Sequence, residues 1–455
     1  MTMKAVGRYE IAGRLGRGGM STVYKAKAPV TGRIVALKVL DPRDEIFVHM
    51  AGEERLKQVF VEEARVMGGI SHPHIAKILD CDDDHGLPFI VLEYFAHSLG
   101  NFIGESYRVE QPSRTISVAK ASSYLIQALK GLERLHFSGI IHRDIKPFNL
   151  MITNDDRIKI IDFGLSRIRG EEKMKIPGLQ VGSPFYAAPE QAFHPESADE
   201  RADLYSLGVL AYRMLTGRLP IEEGGCLALP SSYRPDLDSS WDDLIMRSIA
   251  GKPADRFATA EQMRRELEGV YAQWAKASKV GCRFEEDECD SDGSRSVRAE
   301  PRRILYKDAR DFLGLDGLMR PVHYHRQNFE LIDPLVIRDP DTGLLWQTKG
   351  PGYTLDWQQA GAYVDHLNKR KWHDRADWRL PTAGELMTIL RPPTVDRDFC
   401  LHSAFSRDIH WLWSSDWCTN RQAWMVDIIE CFAERLDKDG AASVCAVSSS
   451  VGGAR

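Results

Sequence analysis

Strand-length apolar runs and helix-spaced apolar rows follow one another along this 455-residue chain. Val35-Ala36-Leu37-Lys38-Val39 and Ile158-Lys159-Ile160-Ile161 each hold one lysine in an otherwise apolar run, and both predict strands. Leu125, Ile126, Ala128, Leu129, Leu132 and Leu135 recur at helical spacing and predict a helix with one face in the core. Far downstream, Val336-Ile337 and Leu344-Leu345-Trp346 flank Asp341-Thr342-Gly343, a hairpin signal. Ala360, Tyr363, Val364 and Leu367 share one face of a helix, and Thr382 with Glu385 three residues on marks a capped helix start. Trp411-Leu412-Trp413-Ser414-Ser415 and Ala423-Trp424-Met425-Val426-Asp427 read as strands. Residues 303–330 fit either a lead-in helix or a hairpin.

A lysine inside a buried strand is costly unless an anion meets it. Upstream of Lys38 lies Leu15-Gly16-Arg17-Gly18-Gly19-Met20-Ser21-Thr22-Val23, where glycines let a hairpin backbone close over phosphates. A carboxylate behind Lys38 is expected from Phe60-Val61-Glu62-Glu63-Ala64; Glu63 fits, with Glu62 as the alternative register. Further on, His142-Arg143-Asp144-Ile145-Lys146-Pro147-Phe148-Asn149 precedes Asp162-Phe163-Gly164. These residues supply a base, a cation and two oxygen ligands for magnesium, which is what phosphoryl transfer asks of a protein. Each short motif alone reads as an ordinary turn or loop. In this order and spacing they point to one site. His72-Pro73-His74 reads as a structural loop before a strand rather than a metal site, and His142 as a packed structural histidine.

Residues of about 8–272 resemble a eukaryotic-like (Hanks-type) bacterial serine/threonine protein kinase. Ala188-Pro189-Glu190, a buried helix from Ala202-Asp203-Leu204, and Arg256 as the partner of Glu190 fit the same family. The resemblance implies that Lys38 holds the ATP α- and β-phosphates and that Glu63 orients it. Asp144 would be the catalytic base, and Lys146 would neutralise the γ-phosphate. Asn149 and Asp162 would ligate Mg2+, with Mn2+ as an alternative. Leu15, Gly16, Gly18, Gly19, Val23, Ala36, Leu92, Glu93, Phe95 and Met151 would line the ATP pocket. Within it Val23, Ala36 and Met151 would sandwich adenine, Leu92 would be the gatekeeper, and Glu93-Tyr94-Phe95 the hinge. Lys146 argues for Ser/Thr over Tyr specificity. The implied activity is that of a non-specific serine/threonine protein kinase acting on protein substrates, including itself.

The chain departs from that family in three places. Ser21 replaces the third loop glycine, and Phe148 stands where an acid would read a basic substrate residue. The segment from Asp162 to Glu190 contains no threonine; its hydroxyls are Ser166, Ser183 and Tyr186. Activity independent of the usual loop threonine is therefore expected, although Arg143 beside Asp144 is suited to receive a phosphate. The competing reading is a pseudokinase-like scaffold that only binds ATP.

Composition changes after this region. Glu285 to Asp292 carries six acids in eight residues and reads as a solvated linker. Eight of the ten tryptophans lie between Trp346 and Trp424, which marks a second domain. Its Asp-Thr-Gly-Leu-Leu-Trp, Asp-Trp-Arg-Leu-Pro-Thr, Trp-Ser-Ser and Ala-Trp elements resemble the Lcl C-terminal domain family. That family implies a C-type-lectin-like fold related to formylglycine-generating enzyme domains, and no agreed catalytic set. The tryptophans are expected in its core.

The reading is thus α+β: a bilobal kinase fold over 1–275 (N-lobe about 8–95, C-lobe about 96–275), a linker over 276–302, and a smaller C-type-lectin-like domain over 303–455. Net charge of −5 and a pI near 6.3 carry no nucleic-acid signature. No apolar run of membrane-spanning length and no opening signal core occur, so a cytoplasmic protein with free thiols is expected. The eight cysteines contain no C-x-x-C pair, and no segment supplies closely placed reactive cysteines. Homodimerisation and a partner or ligand of the second domain are left open.

Overall fold

The computed structural model describes every residue except 1–3, 19–20, 43–51, 107, 163–166, 169–184, 194–197, 222–225, 281–296, 326, 393–399 and 450–455. The chain forms two compact units. The first contains Met1–Gly100, Tyr107–Pro112 and Ala121–Val270; the second contains Asn101–Ser106, Ser113–Lys120 and Tyr271–Arg455.

The first unit opens with six antiparallel strands: β1 (Ala5–Val6), β2 (Tyr9–Arg17), β3 (Ser21–Lys27), β4 (Ile34–Leu40), β5 (Ile78–Asp84) and β6 (Leu87–Glu93). Their order in the sheet is β1-β2-β3-β4-β6-β5. Successive side chains of a strand point to opposite faces. On β4, Val35, Leu37 and Val39 therefore enter one apolar cluster with Phe89 and Val91. Leu40 enters a second with Phe60, Ala64 and Ile90, on the face that Lys38 shares. Phe60 and Ala64 come from helix α1 (Glu53–Gly68), whose buried stripe is Leu56, Phe60, Ala64 and Met67.

The chain continues through β7 (His97–Ser98), α2 (Leu99–Phe102), α3 (Val118–Phe137), β8 (Ile140–Ile141), β9 (Leu150–Ile152), β10 (Ile158–Ile160), β11 (Arg167–Ile168), α4 (Pro189–Phe193), α5 (Arg201–Thr216), α6 (Ser239–Ser248) and α7 (Ala260–Val280). The helical apolar row lies on α3: Leu125, Ala128, Leu129, Leu132 and Leu135 are buried, while Ile126 is only half buried. Helix α5 is buried on almost every side, as expected of a core helix. Its Gly208 permits close packing, since a Cβ there would lie 2.5 Å from Ser248 Cβ.

The second unit contains α8 (Tyr306–Leu313), a sheet ordered β12 (Glu330–Asp333), β13 (Val336–Asp339), β14 (Leu344–Gln347) and β18 (Val447–Ser449), and a three-stranded meander of β15 (Trp411–Trp417), β16 (Gln422–Asp427) and β17 (Phe432–Asp437). The ambiguous lead-in is a helix over 306–313 only, followed by an antiparallel bridge between Leu315 and Pro321. Helices α9 (Trp357–Lys369) and α10 (Ala383–Thr388) both start with a complete capping box, Asp356 with Gln359 and Thr382 with Glu385. The Asp-Thr-Gly turn joins β13 to β14, with Gly343 at φ 70°. Trp346, Trp378, Trp411, Trp413 and Trp424 are buried, as expected, whereas Trp357, Trp372 and Trp417 are only half buried. Arg298 donates two bonds to Asp416 at 2.9 and 2.8 Å, and Arg302 N a third at 2.7 Å, so 298–302 is tied to β15. The acidic stretch from Glu285 to Asp292 lies outside the described residues.

Candidate active site

Lys38 on β4 is buried, and its Nζ donates to Glu63 on α1 at 3.0 Å and to Asp162 at 3.2 Å. Burial opposes the charge on Lys38, but Asp162 and Glu63 outweigh it and raise the ammonium above its ordinary value. Lys38, in turn, depresses the Asp162 carboxyl against the opposing effect of burial. Helical register decides between the adjacent glutamates: Glu62 turns away and accepts from Arg65 at 2.7 Å.

The loop between β8 and β9 holds a second polar group. Lys146 Nζ donates to Asp144 Oδ2 at 2.7 Å, and Asn149 Nδ2 donates to the same oxygen at 2.9 Å and to the Asp144 carbonyl at 2.8 Å. Ile161 N donates to the Asn149 carbonyl at 2.9 Å, which brings the residue before Asp162 to this loop. Arg143 and Asp162 both adopt positive φ, at 68° and 61°. Such backbone needs outside support, and for Arg143 it comes from α5. Buried Asp203 accepts from His142 N at 2.9 Å, Arg143 N at 2.7 Å and His136 Nε2 at 2.8 Å. Burial alone would raise the Asp203 carboxyl, but His136, His142 and the Arg143 amide hold it below its ordinary value. His142 is the packed histidine expected, its Nε2 3.0 Å from the Ile161 carbonyl.

The remaining sequence-selected residues sit around these two groups. Val23 is the register partner of Lys38, and Ala36 that of Leu92. Met151 is the central residue of β9. Glu93 Oε2 accepts from Lys77 N and Lys159 Nζ, both at 2.9 Å. Lys25 lies over the Tyr94 ring and Lys159 over Phe95. Leu15 is exposed on β2, Gly16 pairs with Val23, and Gly18 N donates to Ser21 O at 2.8 Å. Gly19, Ser166 and Ser183 lie outside the described residues. Phe148 is partly exposed, and its ring lies where a Cβ on Gly100 would come within 2.7 Å. Arg256 forms the expected pair with Glu190, at 2.6 and 2.8 Å.

Sequence reasoning missed the roles of Asp203 and Cys400. Asp203 stands in a motif read only as core. Cys400 and Cys431 carry no spacing signal, yet both are buried and bonded: Cys400 Sγ donates to the Ile429 carbonyl at 3.1 Å, and Cys431 Sγ to the Arg391 carbonyl at 3.4 Å. The neighbouring Cys431, then burial, raise the Cys400 thiol, so Cys400 is held protonated rather than reactive. All six described cysteines are free. No group of three or more His, Cys, Asp or Glu suited to a metal occurs among the described residues, and His74 Nδ1 instead meets the Ile158 carbonyl at 3.0 Å. No helix among the described residues is long and apolar enough to cross a membrane.

Residues 9–263 match the protein kinase domain model, and residues 335–448 match the Lcl C-terminal domain model. A probable serine/threonine-protein kinase of Streptomyces coelicolor is 33% identical over 279 residues, which is 58% of this chain and 40% of that protein. Serine/threonine-protein kinase Pkn1 of Myxococcus xanthus is 33% identical over 289 residues, 60% of this chain and 39% of that protein. The solved kinase domain of Mycobacterium tuberculosis PknI is 26% identical, with a TM-score of 0.44, covering 59% of this chain and 97% of that one. The chain spans about two fifths of the length of the two curated relatives. With the kinase model matching more than half of its residues, the chain belongs to the protein kinase family and carries an Lcl C-terminal domain after the kinase domain.

Proposed function

We propose that the protein is a non-specific serine/threonine protein kinase that moves the ATP γ-phosphoryl group onto protein hydroxyls, its own included. The observation that carries this reading is the pair of polar groups in the first unit: Lys38 joined to both Glu63 and Asp162, and Asp144 joined to Lys146 and Asn149. In this reading Lys38, held charged by its two carboxylates, grips the α- and β-phosphates. Asp144 Oδ2 accepts the proton of the attacking hydroxyl, and Lys146 beside it offsets negative charge on the phosphoryl oxygens. Val23, Ala36 and Met151 offer apolar surface to adenine, with Leu92 and Glu93-Tyr94-Phe95 at the pocket's rear and edge.

The donor set fits a hard divalent cation. Asn149 commits its Nδ2 to Asp144, so its amide oxygen is the donor left for a metal, and Asp162 adds a carboxylate that is half exposed. Bound magnesium or manganese would neutralise charge on the β- and γ-phosphate oxygens. Phe148 brings no charge to the substrate side, so strong selection for basic residues there is not expected. The second unit serves in this reading to recruit a substrate or partner or to bind a ligand, and the protein works in the cytoplasm with free thiols.

The test is magnesium-dependent ³²P transfer from ATP, to the chain itself and to a generic protein substrate. Asp144→Asn should lower the rate by about 10²–10⁴-fold, the usual contribution of a positioned base. Wild-type protein that binds ATP but transfers nothing would replace the kinase reading with that of an ATP-binding scaffold.

A further inference from the structure

Residues 101–106 and 113–120 lie within the kinase match, yet they belong to the second unit. Their side chains are gripped there. Arg114 is almost fully buried, and its guanidinium donates to the carbonyls of Phe102 at 2.9 Å, Asn101 at 2.6 Å and Leu318 at 3.0 Å, and to Glu434 at 3.3 Å. It lies 3.9 Å above the Phe432 ring, which Phe102 meets edge-on. Arg320 donates to the Thr115 carbonyl at 2.6 Å.

The contact with the clearest mechanical consequence is at Glu430, on the turn between β16 and β17. Ser117 N donates to its two oxygens at 3.1 and 3.0 Å, and Ser117 Oγ donates to one of them at 2.7 Å. Ser117 Oγ also accepts from Lys120 N at 3.3 Å, so it caps the start of α3. The first turn of α3 has no acidic residue of its own. Glu430 therefore supplies, from 313 residues away, the acceptor oxygens that a helix N-terminus needs for its first donors. At the other end of this helix, His136 binds Asp203, which also holds the amides of His142 and Arg143, directly before Asp144.

We infer that Glu430 is a positioning residue for phosphoryl transfer: by capping α3 from the Lcl C-terminal domain, it holds the helix that orders the backbone around Asp144. The kinetic part of this inference rests on the kinase reading above.

The test compares full-length wild type with Glu430→Ala, Glu430→Gln and Ser117→Ala by amide hydrogen exchange and by transfer kinetics. Glu430→Ala should speed exchange about tenfold over 117–121, the size expected for a lost cap, and about threefold over 140–149. The kcat should fall about fivefold, with KM for ATP unchanged within about twofold. Glu430→Gln keeps an acceptor for Ser117 N and should recover most of both effects. Ser117→Ala should move both in the same direction and stands in if Glu430→Ala does not fold. Exchange over 140–149 equal to wild type while 117–121 has quickened would overturn the inference, as would an unchanged kcat in that variant. Wild type without any transfer would remove the kinase reading alone, and the exchange comparison would still decide the role of Glu430.

Discussion

Among single side chains, Arg256 shows how geometry separates ion pairs that matter from those that do not. Its guanidinium meets both oxygens of Glu190 and the carbonyls of Ala250, Arg201 and Gly251, with its side chain fully buried. Lys57 also meets two acids, Glu53 and Glu54, but at the surface, where such a pair contributes about 0–1 kcal/mol. Removing one partner of a buried pair strands the other and costs about 3–5 kcal/mol. Arg256→Ala should therefore lower the stability of the first unit by that amount in urea unfolding, and Lys57→Ala should leave it nearly unchanged. Arg256→Lys should recover little, because an ammonium cannot reproduce the two-oxygen fork. Equal midpoints for Arg256→Ala and wild type would refute this account. The pairing of Arg256 with Glu190 was legible in the sequence only through the family resemblance, since 66 residues separate them.

The β16–β17 turn carries two buried carboxyls, Asp427 and Glu430. Burial raises both above their ordinary values; bonds from Trp411 and backbone amides to Asp427, and from Ser117 to Glu430, reduce that rise without cancelling it. The folded chain thus keeps protons that the unfolded chain has released. Stability from this turn is present below the ordinary carboxylate range near about 4, and is lost as pH rises through the elevated folded values. Thermal melts between about pH 5 and 7.5 should show a shallower pH slope for Glu430→Gln than for wild type, and identical slopes would contradict this assignment. None of this was readable from sequence. The capping boxes at Asp356 and Thr382 were, or were within reach, because each is closed within four residues. The Ser117–Glu430 contact spans 313 positions, and nothing local distinguishes Glu430 from a surface acid. Strand patterns behaved likewise: β4 and the β13–β14 hairpin follow from alternation and a turn signal, whereas the choice of α8 over a hairpin for 306–313 depended on packing.

Taken together, the two units were unequally legible. The proposed kinase site is a set of chemical types in fixed order, and phosphoryl transfer constrains those types closely, so Lys38, Glu63, Asp144, Lys146, Asn149 and Asp162 could be proposed before their geometry. The Lcl C-terminal domain is marked by aromatic packing residues, which specify a core and not a ligand. Helix α7 runs to Val280, past the end assigned to the kinase region, because helical pattern alone does not say where a helix stops serving one unit. The uneven burial of indoles has an optical result. Trp241 is the only tryptophan of the first unit, and the other nine belong to the second. Tryptophan emission during denaturation should therefore report almost entirely on the Lcl C-terminal domain. A nucleotide titration followed by that emission should stay nearly flat if ATP acts within the first unit alone, so a large change in fluorescence would mean that nucleotide occupancy is felt by the second unit.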